Sequence, residues 1–244
     1  MKRFRWSLIT VFILLITGVS ILAMNPQWIK IETVQIELIT GSDQELIFQR
    51  IKNALAPQFK NFEGQYFWQV PLKRIYDLAA KDKRVKRVSI HREFPSRLRV
   101  EVEPRTPVLA YLGVDGRVYP VATDATLLPA LPFKDAPDLP LLRGEDFKDE
   151  PELRERAIEL FEAMPEDGMM RKSQISEIGF TKKEGFKVFI SGPNAEIKMG
   201  DTDFGPKISR VQRVLSYLEM QSIKGRVIDA RYSKKVVVRV RNTP

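Results

Sequence analysis

Apolar positions change rhythm several times along the chain, and each rhythm predicts a different element. Leu8 to Met24 is an unbroken uncharged run of 17 residues. As a helix it would reach about 26 Å, a little short of a ~30 Å hydrocarbon core. From Ile31 to Ile39 the pattern switches to period two, with Val34, Ile36 and Leu38 on one face and Gln35 and Glu37 on the other. That alternation predicts a half-buried strand. Gly41-Ser42-Asp43 breaks it and offers a helix cap. Leu46, Ile47, Ile51 and Leu55 then recur at helical spacing, and Pro57 is expected to end the helix. After Tyr66-Phe67-Trp68, Pro71 opens a second helix carrying Leu72, Ile75, Leu78 and Ala79. Two alternating strands follow, one with Val88 and Ile90 facing inward and one with Leu98, Val100 and Val102 inward. Their polar faces mark antiparallel strands with one wet side. Phe94-Pro95-Ser96 is the turn between them.

Farther on, Gly113 to Tyr119 reads as a hairpin or turn leading into a short strand. Pro129, Pro132, Pro137 and Pro140 punctuate a surface connection too proline-dense for regular structure. Pro151 to Met164 has helical spacing, and Ile175–Phe180, Phe186–Ile190 and Ala195–Met199 read as strands. Gly192-Pro193-Asn194 is the turn between the last two. A helix is predicted from Lys207 to Met220, and the chain closes on a strand at Val236–Val240. The fold class is therefore α+β: an N-terminal transmembrane helix, a β-α-α-β-β domain, then a mixed antiparallel β-domain with helices.

Charge fixes the expected topology. Lys2, Arg3 and Arg5 precede the apolar run, and the first charge after it is Lys30. The positive-inside rule then leaves residues 1–7 in the cytoplasm, makes 8–28 the anchor between Trp6 and Trp28, and exports the remainder. A cleaved signal peptide ending at Ala23 is the rival reading, but Ile21 does not fit the small-x-small pattern before such a site. Of the formal charge of +9, much sits in those first residues and in Lys81–Arg105, which has nine Lys/Arg against four Asp/Glu. Given an exported domain, the Lys81–Arg92 cluster within it reads as a solvated basic face, with anionic lipid and not nucleic acid as the ligand it would fit.

Candidate chemistry is sparse. The chain has no cysteine and a single histidine, His91, on the polar face of its strand. Thiolate zinc sites, disulfides and cysteine nucleophiles are excluded, and a His-based triad or metal site lacks material. Glu101 and Glu103 alternate with arginines and read as a surface charge lattice. Tyr66-Phe67-Trp68 is expected to be buried between the two helices. Gly192-Pro193-Asn194 and Gly200-Asp201 are turns, not a phosphate loop. No catalytic, cofactor or metal residue is assigned, and no small-molecule substrate is expected.

An anchor followed at once by β-α-α-β-β resembles a POTRA domain. The segment VKRVSIHREFPSRLRVEVEPRTPV resembles the end of that domain in the bacterial division family FtsQ/DivIB, with Phe94-Pro95 and Pro107-Val108 matching. Pro104 stands where the family pattern has Glu, and Glu103 is one position earlier. LPLLRG (139–144) and the closing Val-Ile-Asp-x-Arg-Tyr plus terminal strand resemble parts of the family's β-domain. The resemblance implies a POTRA domain at 29–104 and a β-domain at 105–244. It further implies a non-enzymatic scaffold of the inner membrane and division septum, linking early and late division proteins through periplasmic contacts. The implied partners are FtsB-like and FtsL-like membrane coiled-coil proteins and the septal peptidoglycan synthesis machinery. The implied partner-binding residues are Arg231, Tyr232, Val236, Val237, Val238, Arg239 and Val240, where the last strand would accept a strand from the FtsB-like protein. The alternatives are a POTRA-containing export or chaperone component, which would ordinarily precede an outer-membrane barrel, and a membrane-tethered enzyme using Asp/Glu chemistry.

Overall fold

A computed structural model describes residues 12–18, 29–39, 44–192, 195–223 and 225–240. The chain divides into two compact units, 1–104 and 105–244. Most of the proposed anchor, the Gly41-Ser42-Asp43 cap and the Pro193-Asn194 turn lie outside the described residues. Residues 12–18 are helical and exposed. Among the described residues no helix is long and apolar enough to cross a membrane.

In the first unit, β1 (Thr33–Leu38) is followed by α1 (Glu45–Phe59), α2 (Leu72–Ala80), β2 (Val85–Glu93) and β3 (Arg97–Pro104). The sheet order is β1-β3-β2, so β3 is central, parallel to β1 and antiparallel to β2. Leu98, Val100 and Val102 alternate inward from β3 and join Ile36, Val85, Ile75 and Ala79 in one core. The helical stripe of α1 differs from its expected one. Leu46 is 82% exposed, while Phe48, Ile51, Leu55 and Phe59 are buried at spacings of three, four and four. Pro57 does not end α1, which runs on to Phe59. Its missing N–H would have met the carbonyl of Asn53, which lies on the exposed side, and burying Phe59 favours completing the turn.

Tyr66-Phe67-Trp68 is not buried as a block. Phe67 packs against the core, but Tyr66 and Trp68 point outward. Gly64 explains the approach of this loop. Its φ of +80° lets its N–H donate to the Ile31 carbonyl at 2.7 Å, and Phe67 N–H reaches the Ile29 carbonyl at 2.7 Å.

The second unit contains β4 (Pro107–Leu112), β5 (Val118–Ala122), β6 (Leu141–Arg143), α3 (Asp146–Asp149), α4 (Pro151–Glu162), β7 (Ile175–Thr181), β8 (Gly185–Ile190), β9 (Ala195–Gly200), α5 (Phe204–Met220), β10 (Gly225–Asp229) and β11 (Val237–Val240). These strands form one eight-stranded sheet in the order β11-β10-β9-β8-β7-β6-β4-β5. It is mixed: β4/β6, β6/β7 and β9/β10 are parallel, and the other pairings are antiparallel. Of the three parallel pairings, β6/β7 is joined by a crossover carrying α4 and β9/β10 by one carrying α5, while β4 reaches β6 through β5 and the proline-rich stretch. Both helices feed one core, with Leu153, Ala157 and Leu160 from α4 meeting Ile178, Val188 and Ile197 of the sheet and Ile208, Val211 and Leu215 of α5.

One sequence expectation is corrected here. Helix α5 begins at Phe204, before Lys207, and Lys207 is buried. Its Nζ donates to the carbonyls of Met199 (2.8 Å) and Thr202 (2.5 Å), which satisfies the ammonium inside the fold. The proline-rich stretch Pro129–Pro140 is irregular and mostly exposed, as expected of a surface connection. The residues leading into it, and Leu131 within it, do more: Ala122 N–H donates to Thr126 O, Leu128 N–H to Pro120 O and Leu131 N–H to Val118 O, at 2.8–3.0 Å. Buried Arg154 donates to Ala125 O (2.7 Å), Phe147 O (2.7 Å) and Lys148 O (3.0 Å), which ties this lead-in segment to α4. The outer side of β5 is thereby covered.

Candidate partner-binding edge

With the β5 side covered, β11 is the uncovered side of the large sheet among the described residues. It pairs antiparallel with β10 through Asp229↔Val237, Ile228↔Val238 and Val227↔Arg239, with an irregularity between Gly225 and Val227. Period two decides which side chains hold it. Val236 and Val238 pack on the core, while Val237 and Val240 are nearly half exposed and Arg239 faces solvent. The strand is thus fastened by alternate valines on one face. Its second row of main-chain donors and acceptors meets no other strand among the described residues, which is the condition for strand addition.

The turn before β11 is built by charge. Asp229 accepts from the backbone N–H of Arg231 at 3.1 Å and from its Nε and Nη2 at 2.9 and 2.6 Å. The Arg231 hydrogen bonds hold the Asp229 carboxyl below its usual range, and Asp229 in turn raises Arg231. Arg231 Nη1 also lies 3.9 Å from Glu184. Glu184 binds Lys187 Nζ at 2.5 Å and Lys198 Nζ at 2.6 Å, and these two hydrogen bonds pull it down to about 2. The stem of Arg231 crosses Gly200, where a Cβ would meet Arg231 Cγ at 3.4 Å and φ is +71°. Arg231 is therefore a positioning residue whose Nε and Nη2 are bonded within the chain.

Tyr232 is 46% exposed, with Lys235 Nζ 5.1 Å from its ring centre. Arg210 of α5 clamps this turn: its Nη2 donates to the Tyr232 carbonyl at 3.3 Å and its Nη1 to that of Ser233. Lys234 and Lys235 are exposed beside it, and Arg241 lies outside the described residues. The seven residues named from the sequence thus fall on one turn and one edge strand. Glu184, Gly200, Arg210 and Asp229 support them; from the sequence Gly200 reads only as a turn, Asp229 as part of Val-Ile-Asp-x-Arg-Tyr, and Glu184 and Arg210 were not singled out. Only Asp229, two residues from Arg231, had a local signal, since an Asp side chain readily bonds the backbone two residues on. Among the described residues, no group of three His, Cys, Asp or Glu side chains is placed to hold a metal ion.

Residues 110–231 match the family model "Cell division protein FtsQ/DivIB, C-terminal", and residues 30–105 match "POTRA domain, FtsQ-type". The chain belongs to the FtsQ/DivIB family of cell-division proteins. Two relatives are each named "Cell division protein FtsQ". The one from Geotalea daltonii is 26% identical over 186 residues, and the one from Geobacter sp. is 27% identical over 184 residues. Each match covers 72% of this chain and 66% of the relative, so the chain spans just under two thirds of the length of these FtsQ proteins. The C-terminal family match ends at Arg231. Of the seven candidate residues, Arg231 alone falls inside it, and β11 lies beyond.

Proposed function

We propose that this FtsQ-family protein is a non-enzymatic scaffold of the divisome, anchored in the inner membrane by residues 8–28. Its bulk, a POTRA domain at 29–104 and a β-domain at 105–244, lies in the periplasm. It links early and late division proteins at the septum by binding FtsB-like and FtsL-like membrane proteins, which connect it to the septal peptidoglycan synthesis machinery. The observation that carries this reading is the uncovered edge of β11, fastened by Val236 and Val238 and framed by Arg231 and Tyr232. Lys234, Lys235 and Arg239 line the same edge. They discourage pairing between copies of this chain and favour an acidic incoming strand. The uncleaved apolar run sets this reading apart from an exported chaperone component, and the lack of cysteine and of a second histidine leaves a tethered enzyme only Asp/Glu chemistry.

The test is binding of the full chain, in detergent, to a purified periplasmic fragment of the FtsB-like partner. Tyr232→Ala removes a large exposed contact at the mouth of the edge and is expected to weaken binding by about 2 kcal/mol, roughly thirtyfold. Unchanged affinity in a folded Tyr232→Ala protein removes Tyr232 from the interface. Absence of binding by the parent protein contradicts the scaffold reading itself.

A further inference from the structure

In the POTRA domain the residues that lead in from the apolar run pass between two loops that carry exposed aromatic rings. Phe67 N–H donates to Ile29 O and Ile31 N–H to Gln65 O, which binds residues 29–31 to the 64–68 loop. Glu32 N–H donates to Ser96 O at 2.8 Å, which binds the next residue to the 94–96 turn. Phe67 is the hinge of the aromatic group. Its ring centre lies 6.4 Å from that of Trp68 and 6.0 Å from that of Phe94, both edge-on. Trp68 is 61% exposed and Phe94 72%, and Tyr66 stands beside them with Lys30 Nζ 5.6 Å from its ring. Large rings this exposed need an occupant with an apolar body and a polar edge.

Chain geometry says what that occupant is. Met24 ends the uncharged run five residues before Ile29. An extended chain advances at most about 3.6 Å per residue, so Ile29 is held within about 18 Å of the end of that run. A 17-residue helix is also slightly short for a bilayer, which draws the residues after it toward the headgroups. Tryptophan and tyrosine partition to that layer, and cations such as Lys30, Arg92 and Arg97 suit its phosphates. Of the acidic groups nearby, Glu93 is paired with Arg99, and the exposed Glu32 and Glu63 are outnumbered by Lys30, Arg92 and Arg97. We propose that Tyr66, Trp68 and Phe94, backed by core-packed Phe67, form a collar that inserts into the headgroup region of the periplasmic leaflet and seats the POTRA domain on the membrane. This rests on the reading of residues 8–28 as an uncleaved anchor.

The test uses the full chain carrying Trp6→Phe and Trp28→Phe, which leaves Trp68 as the remaining tryptophan. It is reconstituted into vesicles of phosphatidylethanolamine and phosphatidylglycerol containing lipids brominated either close to the headgroup or near the chain ends. Shallow bromines are expected to quench Trp68 emission at least twofold, deep bromines less, and aqueous iodide weakly. Phe94→Ser is expected to cut the shallow quenching at least twofold; should that variant not fold, the parent measurement decides alone. Extraction with alkaline carbonate separates the two claims. Release of the protein overturns the anchor reading, and with it the collar. Retention with Trp68 unquenched by either lipid overturns the collar alone, whether iodide reaches Trp68 or a protein contact shields it.

Discussion

Glu184 joins strands β8 and β9 to the turn before β11, because Lys187, Lys198 and Arg231 all lie within 3.9 Å of its carboxylate. Its folded pKa is held near 2, below the ordinary 4.5. A depressed carboxylate stabilises the fold fully above its unfolded pKa, and that stabilisation is lost as pH falls through the folded one. Asp229 is shifted in the same direction by Arg231. The thermal midpoint of the 25–244 fragment is therefore expected to fall between about pH 4.5 and pH 2, and Glu184→Gln should flatten part of that fall. Superposable curves for the two proteins would show that Glu184 has no preferential stability in its charged form. Of this network only the Asp229–Arg231 pair had a local signal in the sequence. Its members are scattered from Glu184 to Arg231, and only the sheet order β10-β9-β8 brings them together.

At the scale of elements, α1 shows what periodicity alone leaves open. Leu46, Ile47, Ile51 and Leu55 and the stripe Phe48, Ile51, Leu55, Phe59 both fit a helix, and they share two residues. The choice between them depends on how α1 is rolled against β3, which local sequence does not encode. Phe48→Ala is expected to destabilise the domain by about 3–5 kcal/mol, while Leu46→Ala should stay within about 0.5 kcal/mol. Urea unfolding followed by circular dichroism measures both, and equal effects would contradict the observed roll. Strands with strict alternation were easier to read. Leu98, Val100 and Val102 point inward as their period requires, because a one-residue slip would turn all three to solvent. The prolines from Pro129 to Pro140 announced a loop and one is present, but the cover over β5 supplied mainly by the residues just before it, tied by distant Arg154, had no local signal.

For the whole molecule, two separate cores serve the two units, and every residue of either core lies in one unit only. A fragment from Asn25 to Pro244 is therefore expected to remain folded without detergent. Limited proteolysis should cut it first near Pro104–Arg105 and between Pro132 and Pro140, where little strand pairing holds the backbone. Rapid degradation to small peptides would contradict two independently folded units. The order of elements was legible in the sequence because each carries its own period and punctuation. That β11 ends up at an edge was implied by the family resemblance and not by its own pattern, since it depends on the crossover through α5 and on the cover over β5. The most direct measurement is residue-resolved amide hydrogen exchange of Val237–Val240, with and without the FtsB-like fragment. In an edge strand, alternate N–H groups face the neighbour already present and the others face outward. The outward amides, every second one, are predicted to exchange quickly in the free protein and to slow at least a hundredfold when the partner binds. Bound partner with unchanged exchange along β11, and new protection elsewhere, would contradict strand addition at this edge.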